Sequence, residues 1–269
     1  MKTLKKNLKL NLGTIEALMK IPRAEFSKST FHKLRVEIKK LNAIFNLINF
    51  CSKDFKRKET FHPFKEVFKK AGKVRELQLE RAILDKYLSN NSFLDYRRII
   101  NNKLLKAQDS FFELLGKELD KRIAGKIEVL IPFIDQVNKK KAAAFIEKKK
   151  DEIEILLNKN PLTTDELHKL RKLLKTLKYS IGCISSDTRT ANESEILKFT
   201  DSLGKWHDYH QALIQFEKSY DLEEIEPVEA AEISAVKLNI SNKRDLLLQQ
   251  ILKDKSEFKF PQESDSGNI

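Results

Sequence analysis

Ten residues, His32-Lys33-Leu34-Arg35-Val36-Glu37-Ile38-Lys39-Lys40-Leu41, return 136 positions later as His168-Lys169-Leu170-Arg171-Lys172-Leu173-Leu174-Lys175-Thr176-Leu177. A pattern that recurs at this distance constrains the chain to two copies of one unit. Helical residues advance by about 100° each, so His, the Arg at +3 and the Lys at +7 fall near about 0°, 300° and 340°. The apolar residues at +2, +6 and +9 fall near about 200°, 240° and 180°. Each copy is therefore an amphipathic helix: one face buries, and the other aligns His, Arg and Lys along two turns. Two such stripes in one chain point to a site for a polyanion.

The rest of the chain agrees with a helical fold. Seven glycines and six prolines in 269 residues leave little material for the tight hairpins of an all-β protein. Apolar periodicity predicts helices over 3–20, from about Phe31 through Phe50, from Pro63 to Leu88, from Phe93 to about Lys121, and a shorter one near Ile127–Phe133, bent or broken at Pro132. Ser27, Ser29 or Thr30 can cap the first motif helix. Beyond it lies a polar, basic connection, Ser52 to Lys58. In the second half the pattern predicts helices over 139–157, from Thr163/Thr164 to Ile184, over 193–220 and over 228–252. Ser89 to Ser92 and Ser185 to Thr188 read as breaks, and Gln262 to Asn268 as a frayed tail. Gly72, inside the third helix, costs about 1 kcal/mol against Ala and so implies close approach of a neighbour.

A second internal match keeps the same order. Gly72-Lys73-Val74-Arg75-Glu76-Leu77-Gln78 aligns with Gly204-Lys205-Trp206-His207-Asp208-Tyr209-His210, 132 positions on. The expected architecture is all-α: two four-helix bundles related by a pseudo-two-fold axis around a central basic groove. One half is expected over 1–136 and the other over 137–254, together forming a single domain followed by a flexible tail, 255–269.

Charge narrows the partner. Lys and Arg number 52 against 39 Asp and Glu, a net charge of +13, which favours nucleic acid, polyphosphate or an acidic membrane surface. No stretch approaches the ~18 apolar residues of a membrane span, and the basic N-terminus is not followed by the apolar core of a signal peptide. Two cysteines, Cys51 and Cys183, do not make a disulfide framework, so a cytoplasmic protein with free thiols is expected.

His32-x-x-Arg35 with Lys39-Lys40-Leu41, and His168-x-x-Arg171 with Lys175 and Lys178-Tyr179, resemble the paired signature of the conserved-histidine α-helical domain, or CHAD, family. The two glycine segments resemble its other marker, and the likeness extends from about Leu4 to Leu252. It implies two pseudo-symmetric helical bundles, basic residues of both motif helices lining a groove, and binding of inorganic polyphosphate without catalysis. Association with polyphosphate granules would follow. The sequence departs from the family pattern at Asn42 and Thr176, where basic residues are usual, and at Arg75-Glu76, where Arg-Asp is usual.

Polyphosphate offers charge but no bases to stack, so a binder needs spaced cations. Arg35 and Arg171 suit it best, because the guanidinium fork donates two parallel hydrogen bonds. Lys39, Lys40, Lys172, Lys175 and Lys178 supply point charges, His32 and His168 can donate from their rings, and Tyr179 adds a hydroxyl. Lys73, Arg75, Lys205 and His207 are candidate extensions of the groove. His168, His207 and His210 have no partners at convincing metal-ligand spacing, so neither a metal nor a cofactor is expected. Lys139 to Lys141 and Lys148 to Lys150 read as solvated helix faces, and Asp221 to Glu232 as an acidic cap remote from the groove. RNA is the alternative ligand, disfavoured by the few aromatics among the basic residues. A phosphohydrolase is less favoured still, since there is no P-loop and Glu152-Ile153-Glu154-Ile155-Leu156 lacks the final lysine of an ExExK signature.

Overall fold

The computed structural model describes residues 2–87, 94–184, 191–219, 227–258 and 260. Among them are ten α-helices, one 3-10 turn and no strand. They are α1 (Lys2–Met19), α2 (Lys28–Cys51), α3 (Arg57–Thr60), α4 (His62–Leu84), α5 (Leu94–Leu114), α6 (Lys117–Ile134), α7 (Lys139–Leu157), α8 (Thr164–Ile184), α9 (Ala191–Ser219) and α10 (Pro227–Glu257). The breaks expected at Ser89 to Ser92 and Ser185 to Thr188, the first part of the acidic run from Asp221, and the tail from Gln262 lie outside the described residues.

Local chemistry sets the ends of both motif helices. Ser27 caps α2, its Oγ accepting from the Thr30 N–H at 3.2 Å. At α8, Thr163 and Glu166 form a reciprocal capping box: the Thr163 N–H donates to Glu166 Oε2 at 2.9 Å, and the Glu166 N–H to Thr163 Oγ1 at 3.3 Å.

Two expectations need correction. The segment from Phe93 to Lys121 is not one helix: α5 stops at Leu114, Gly116 is extended, and α6 starts afresh at Lys117. Nor does Pro132 break α6, which runs on to Ile134. Leu130 and Ile134 are both buried across that turn, and their burial outweighs the one backbone hydrogen bond that proline removes. The basic connection after α2 also contains a helical turn of its own, α3.

The helices pack in matching pairs. α1 lies on α2 and α7 on α8; α2 packs on α4 and α8 on α9; α4 on α5 and α9 on α10. Across the middle, α2 meets α8 and α4 meets α9, while α1 reaches α8 and α7 reaches α2. The core falls into three apolar clusters. One is built on α1, α2, α4, α5 and α6, and includes the interlocked rings of Phe26, Phe31, Phe111 and Phe112. A second joins α7, α8, α9 and α10. The third joins the α4–α5 pair to the α9–α10 pair, with Ile83, Tyr96 and Ile100 against Leu213, Phe216 and Ile240. Buried Glu80 accepts through Oε1 from the Tyr96 hydroxyl there, and Glu229 of α10 accepts from the Tyr96 N–H at 2.8 Å.

Candidate functional site: a basic crevice between the repeated helices

The two motif helices pack side by side because each has an apolar stripe to bury. Leu34, Ile38, Leu41, Phe45 and Ile48 of α2 are enclosed, as are Leu167, Leu170, Leu174 and Leu177 of α8. These stripes hold the opposite, basic faces in a shared crevice flanked by α4 and α9.

Arg35 is fixed on one side of it. Its guanidinium lies 4.1 Å from the centroid of the Phe68 ring, and Nη1 donates to the Phe68 carbonyl at 2.7 Å. Gly72, one turn further along α4, makes room: a Cβ there would fall inside contact distance of Nη1 and 3.3 Å from Cζ. The close approach expected at this glycine is thus made by the motif arginine itself. At the matching glycine, Gly204, a Cβ would meet nothing within 4 Å.

Charges from both copies lower one another's pKa. Burial brings Lys39 down to about 7, assisted by Lys175, Arg35 and Arg171 and opposed by Asp208. Lys175 falls to about 8 through burial and Arg171, against Asp208 and Asp201. Arg35 is lowered to about 10 by burial, with Glu76 opposing and Arg75 and Arg171 adding to the effect. Arg171 is lowered by burial and supported by Asp208, and its Nε is buried without a hydrogen-bond partner. Glu76 and Asp208 occupy corresponding places in the two glycine segments, and each supports the arginine of its own half. Arg35, Lys39, Arg171 and Lys175 therefore form one cluster in which two nearby carboxylates offset only part of the charge.

The histidines behave differently. His32 stands open to solvent at the edge of the cluster, lowered by partial burial, Arg75, Lys39 and Lys175. His168 is pushed down to about 4 by burial and by His207, His210, Lys172 and Arg171. Its ring centroid lies 5.0 Å from Trp206, 5.1 Å from His207 and 5.2 Å from His210. Trp206, 2% exposed, stacks on His210. Burial also lowers His207, whose Nδ1 is enclosed 3.8 Å from Asp208, beyond hydrogen-bond reach.

Several residues read as one stripe are divided by the helical turn. Lys40 points away from Lys39 and donates to Glu37 at 2.7 Å. With Lys33, Lys178 and Tyr179 it lines a separate cavity of 540 Å³ against Asn7 and Asn11 of α1. Tyr179 also senses Arg171, and its hydroxyl is pushed up by burial. Lys172 and Lys205 are exposed, Arg75 is half-buried beside Arg35 and His32, and Lys73 donates to buried Gln215 at 3.5 Å. Sequence reasoning missed the supports of the site: Phe68, which carries Arg35, and the acids Glu76 and Asp208. The acids stand in the glycine segments, so their shared offset was the available signal.

Among the described residues no group of three or more His, Cys, Asp and Glu is placed to hold a metal, and no helix is long and apolar enough to cross a membrane. The crevice can hold anionic groups by charge-assisted hydrogen bonds from four convergent cations. Fold and site together define an all-helical module built around a polycationic crevice. The CHAD domain profile matches residues 21–217, and the chain belongs to that family. Two solved structures share the fold at 12% sequence identity. The crystal structure of the CHAD domain from the plant Ricinus communis superposes with a TM-score of 0.74, covering 96% of this chain and 91% of the other. PptA from Streptomyces chartreusis gives 0.70, covering 96% and 99%. No curated protein matches the sequence.

Proposed function

We propose that this protein binds inorganic polyphosphate, without catalysing its turnover, in the crevice between α2 and α8. The observation that carries this reading is the convergence of Arg35, Lys39, Arg171 and Lys175 from the two motif copies, half-buried and under-neutralised. A linear chain of phosphates supplies the missing negative charge at close intervals, and it relieves the repulsion that holds both lysine pKa values down. His32, Arg75 and Lys172 border the crevice; His168, kept neutral, acts as a hydrogen-bond donor or as packing. Lys40 and Lys178 belong to its periphery, with Tyr179 between the two regions.

The same reading takes the matched helix pairs as two pseudo-two-fold-related halves, α1, α2, α4 and α5 answering α7, α8, α9 and α10, with α6 an addition to the first. The ligand then lies along the pseudo-axis and touches equivalent groups of both halves.

Replacing Arg171 and Lys175 by Gln tests the assignment. The double variant should lose retention on immobilised long-chain polyphosphate while its far-ultraviolet circular dichroism stays helical. Undiminished retention refutes the reading. RNA is the second candidate ligand; preferential displacement of bound polyphosphate by RNA of equal charge would favour it.

A further inference from the structure

The basic connection after α2 has no role in the crevice itself, yet it closes a second cationic site. Lys39, which faces the crevice, also lines a cavity of 450 Å³ between α2, α3 and the start of α4. Arg57, Lys58, His62 and Lys65 line the same cavity, and no carboxylate does. Lys58 and Lys65 are exposed and have no ion-pair partner among the described residues. Glu66, 3.9 Å from His62, is engaged by Arg122 at 2.5 Å.

Arg57 is the built part of this site. It is half-buried, lies 5.8 Å from the Phe61 centroid, and donates through Nη2 to Asn42 Oδ1 at 2.5 Å. Its Nε is enclosed with no protein partner, so one donor remains to be satisfied. Asn42 lies one turn beyond Lys39 on α2, and the guanidinium bound to it places a cation where that helix has none of its own.

We propose that a polyphosphate chain seated between α2 and α8 continues past Lys39 into this cavity, where Arg57, Lys58 and Lys65 bind a further run of its phosphates. The inference rests on the polyphosphate reading of the crevice. Lys39 belongs to both sites, so one linear polyanion can occupy them without crossing an acidic barrier. Such an extension makes affinity depend on chain length: a short chain fills the crevice alone, and a long one fills both sites.

Three proteins are compared with the parent by titration with long-chain polyphosphate and with inorganic triphosphate at several salt concentrations: a triple variant, Arg57→Gln with Lys58→Gln and Lys65→Gln; Lys58→Gln with Lys65→Gln; and Arg171→Gln with Lys175→Gln. Every phosphate left without its cation lowers the slope of log K against log salt by about 0.7, by analogy with single-stranded nucleic acid. For the long chain, the triple variant should lose about 2 from that slope and the Lys58/Lys65 variant about 1.4. Triphosphate binding should be unchanged in both. The Lys58/Lys65 variant alters only exposed side chains, so its result stands even if loss of Arg57 disturbs α3. Unchanged long-chain binding in that variant, with binding abolished in the Arg171/Lys175 variant, overturns the extension and leaves the crevice reading intact. A parent protein that fails to bind polyphosphate overturns both.

Discussion

The two matched glycines offer a direct test of why Arg35 is where it is. Replacing Gly204 by Ala adds a methyl group that meets nothing within 4 Å, so only helix propensity changes, a gain of up to about 1 kcal/mol. Replacing Gly72 by Ala brings the same gain but drives a Cβ into the Arg35 guanidinium. That group cannot retreat without giving up its bond to the Phe68 carbonyl, about 1.5–3 kcal/mol for a charged donor, and its seat on the Phe68 ring, about 1–2 kcal/mol. Rehydration of the displaced arginine offsets part of this loss. The net expectation is destabilisation by about 1–3 kcal/mol, so the two variants should differ by about 2–4 kcal/mol. With a urea m-value of about 3 kcal/mol per M, their unfolding midpoints should stand about 1 M apart. Polyphosphate affinity should fall in the Gly72 variant and hold in the Gly204 variant. Equal stabilisation of both would show that Arg35 is not held by α4, and would refute the reasoning.

Two further outcomes follow from burial. Lys39 sits near 7 and Lys175 near 8 in the free protein, and a bound polyanion raises both, so binding takes up protons. Affinity should therefore fall as pH rises from about 6.5 to about 8.5, by at most about tenfold per unit for each proton. Lys39→Gln should remove the lower part of the dependence and leave that of Lys175, near 8, and replacing both lysines by Gln should flatten the profile; His168, held near 4, contributes nothing in that window, and a profile unchanged in the double variant would contradict this account. Cys51 and Cys183 are each 7% exposed, with thiols pushed up by burial, Cys183 to about 11. Both should react slowly with a thiol reagent at about pH 8 and rapidly in denaturant; fast labelling of either in the native protein would contradict their placement.

Periodicity made the helices legible wherever one face is buried along the whole length. Lys139–Leu157 has the expected bounds, and α2 and α8 bury the predicted leucines, isoleucines and Phe45. It failed where two helices share one stripe: the apolar pattern runs through Leu115 and Gly116, and only packing separates α5 from α6. In the site, the stripe of Arg35, Lys39, Arg171 and Lys175 was readable because i, i+4 residues share a face. Lys40 was not separable from Lys39 by composition; it turns to Glu37, its i−3 neighbour, which Asn11 of α1 holds through Oε2 on the other side. Arg57 carried no periodic signal, since its place beside Asn42 arises from a loop that folds back.

The direct packing of α2 on α8 and of α4 on α9 has a kinetic consequence. The four helices that carry the crevice pack directly on one another, so among the described residues the site is formed before a ligand arrives. Encounter with a polyanion is then governed by diffusion and the long-range field of a +13 chain, and observed association rates rise linearly with ligand concentration. Salt acts twice on such a site, slowing capture and hastening release, whereas viscosity slows both by the same factor and leaves affinity unchanged.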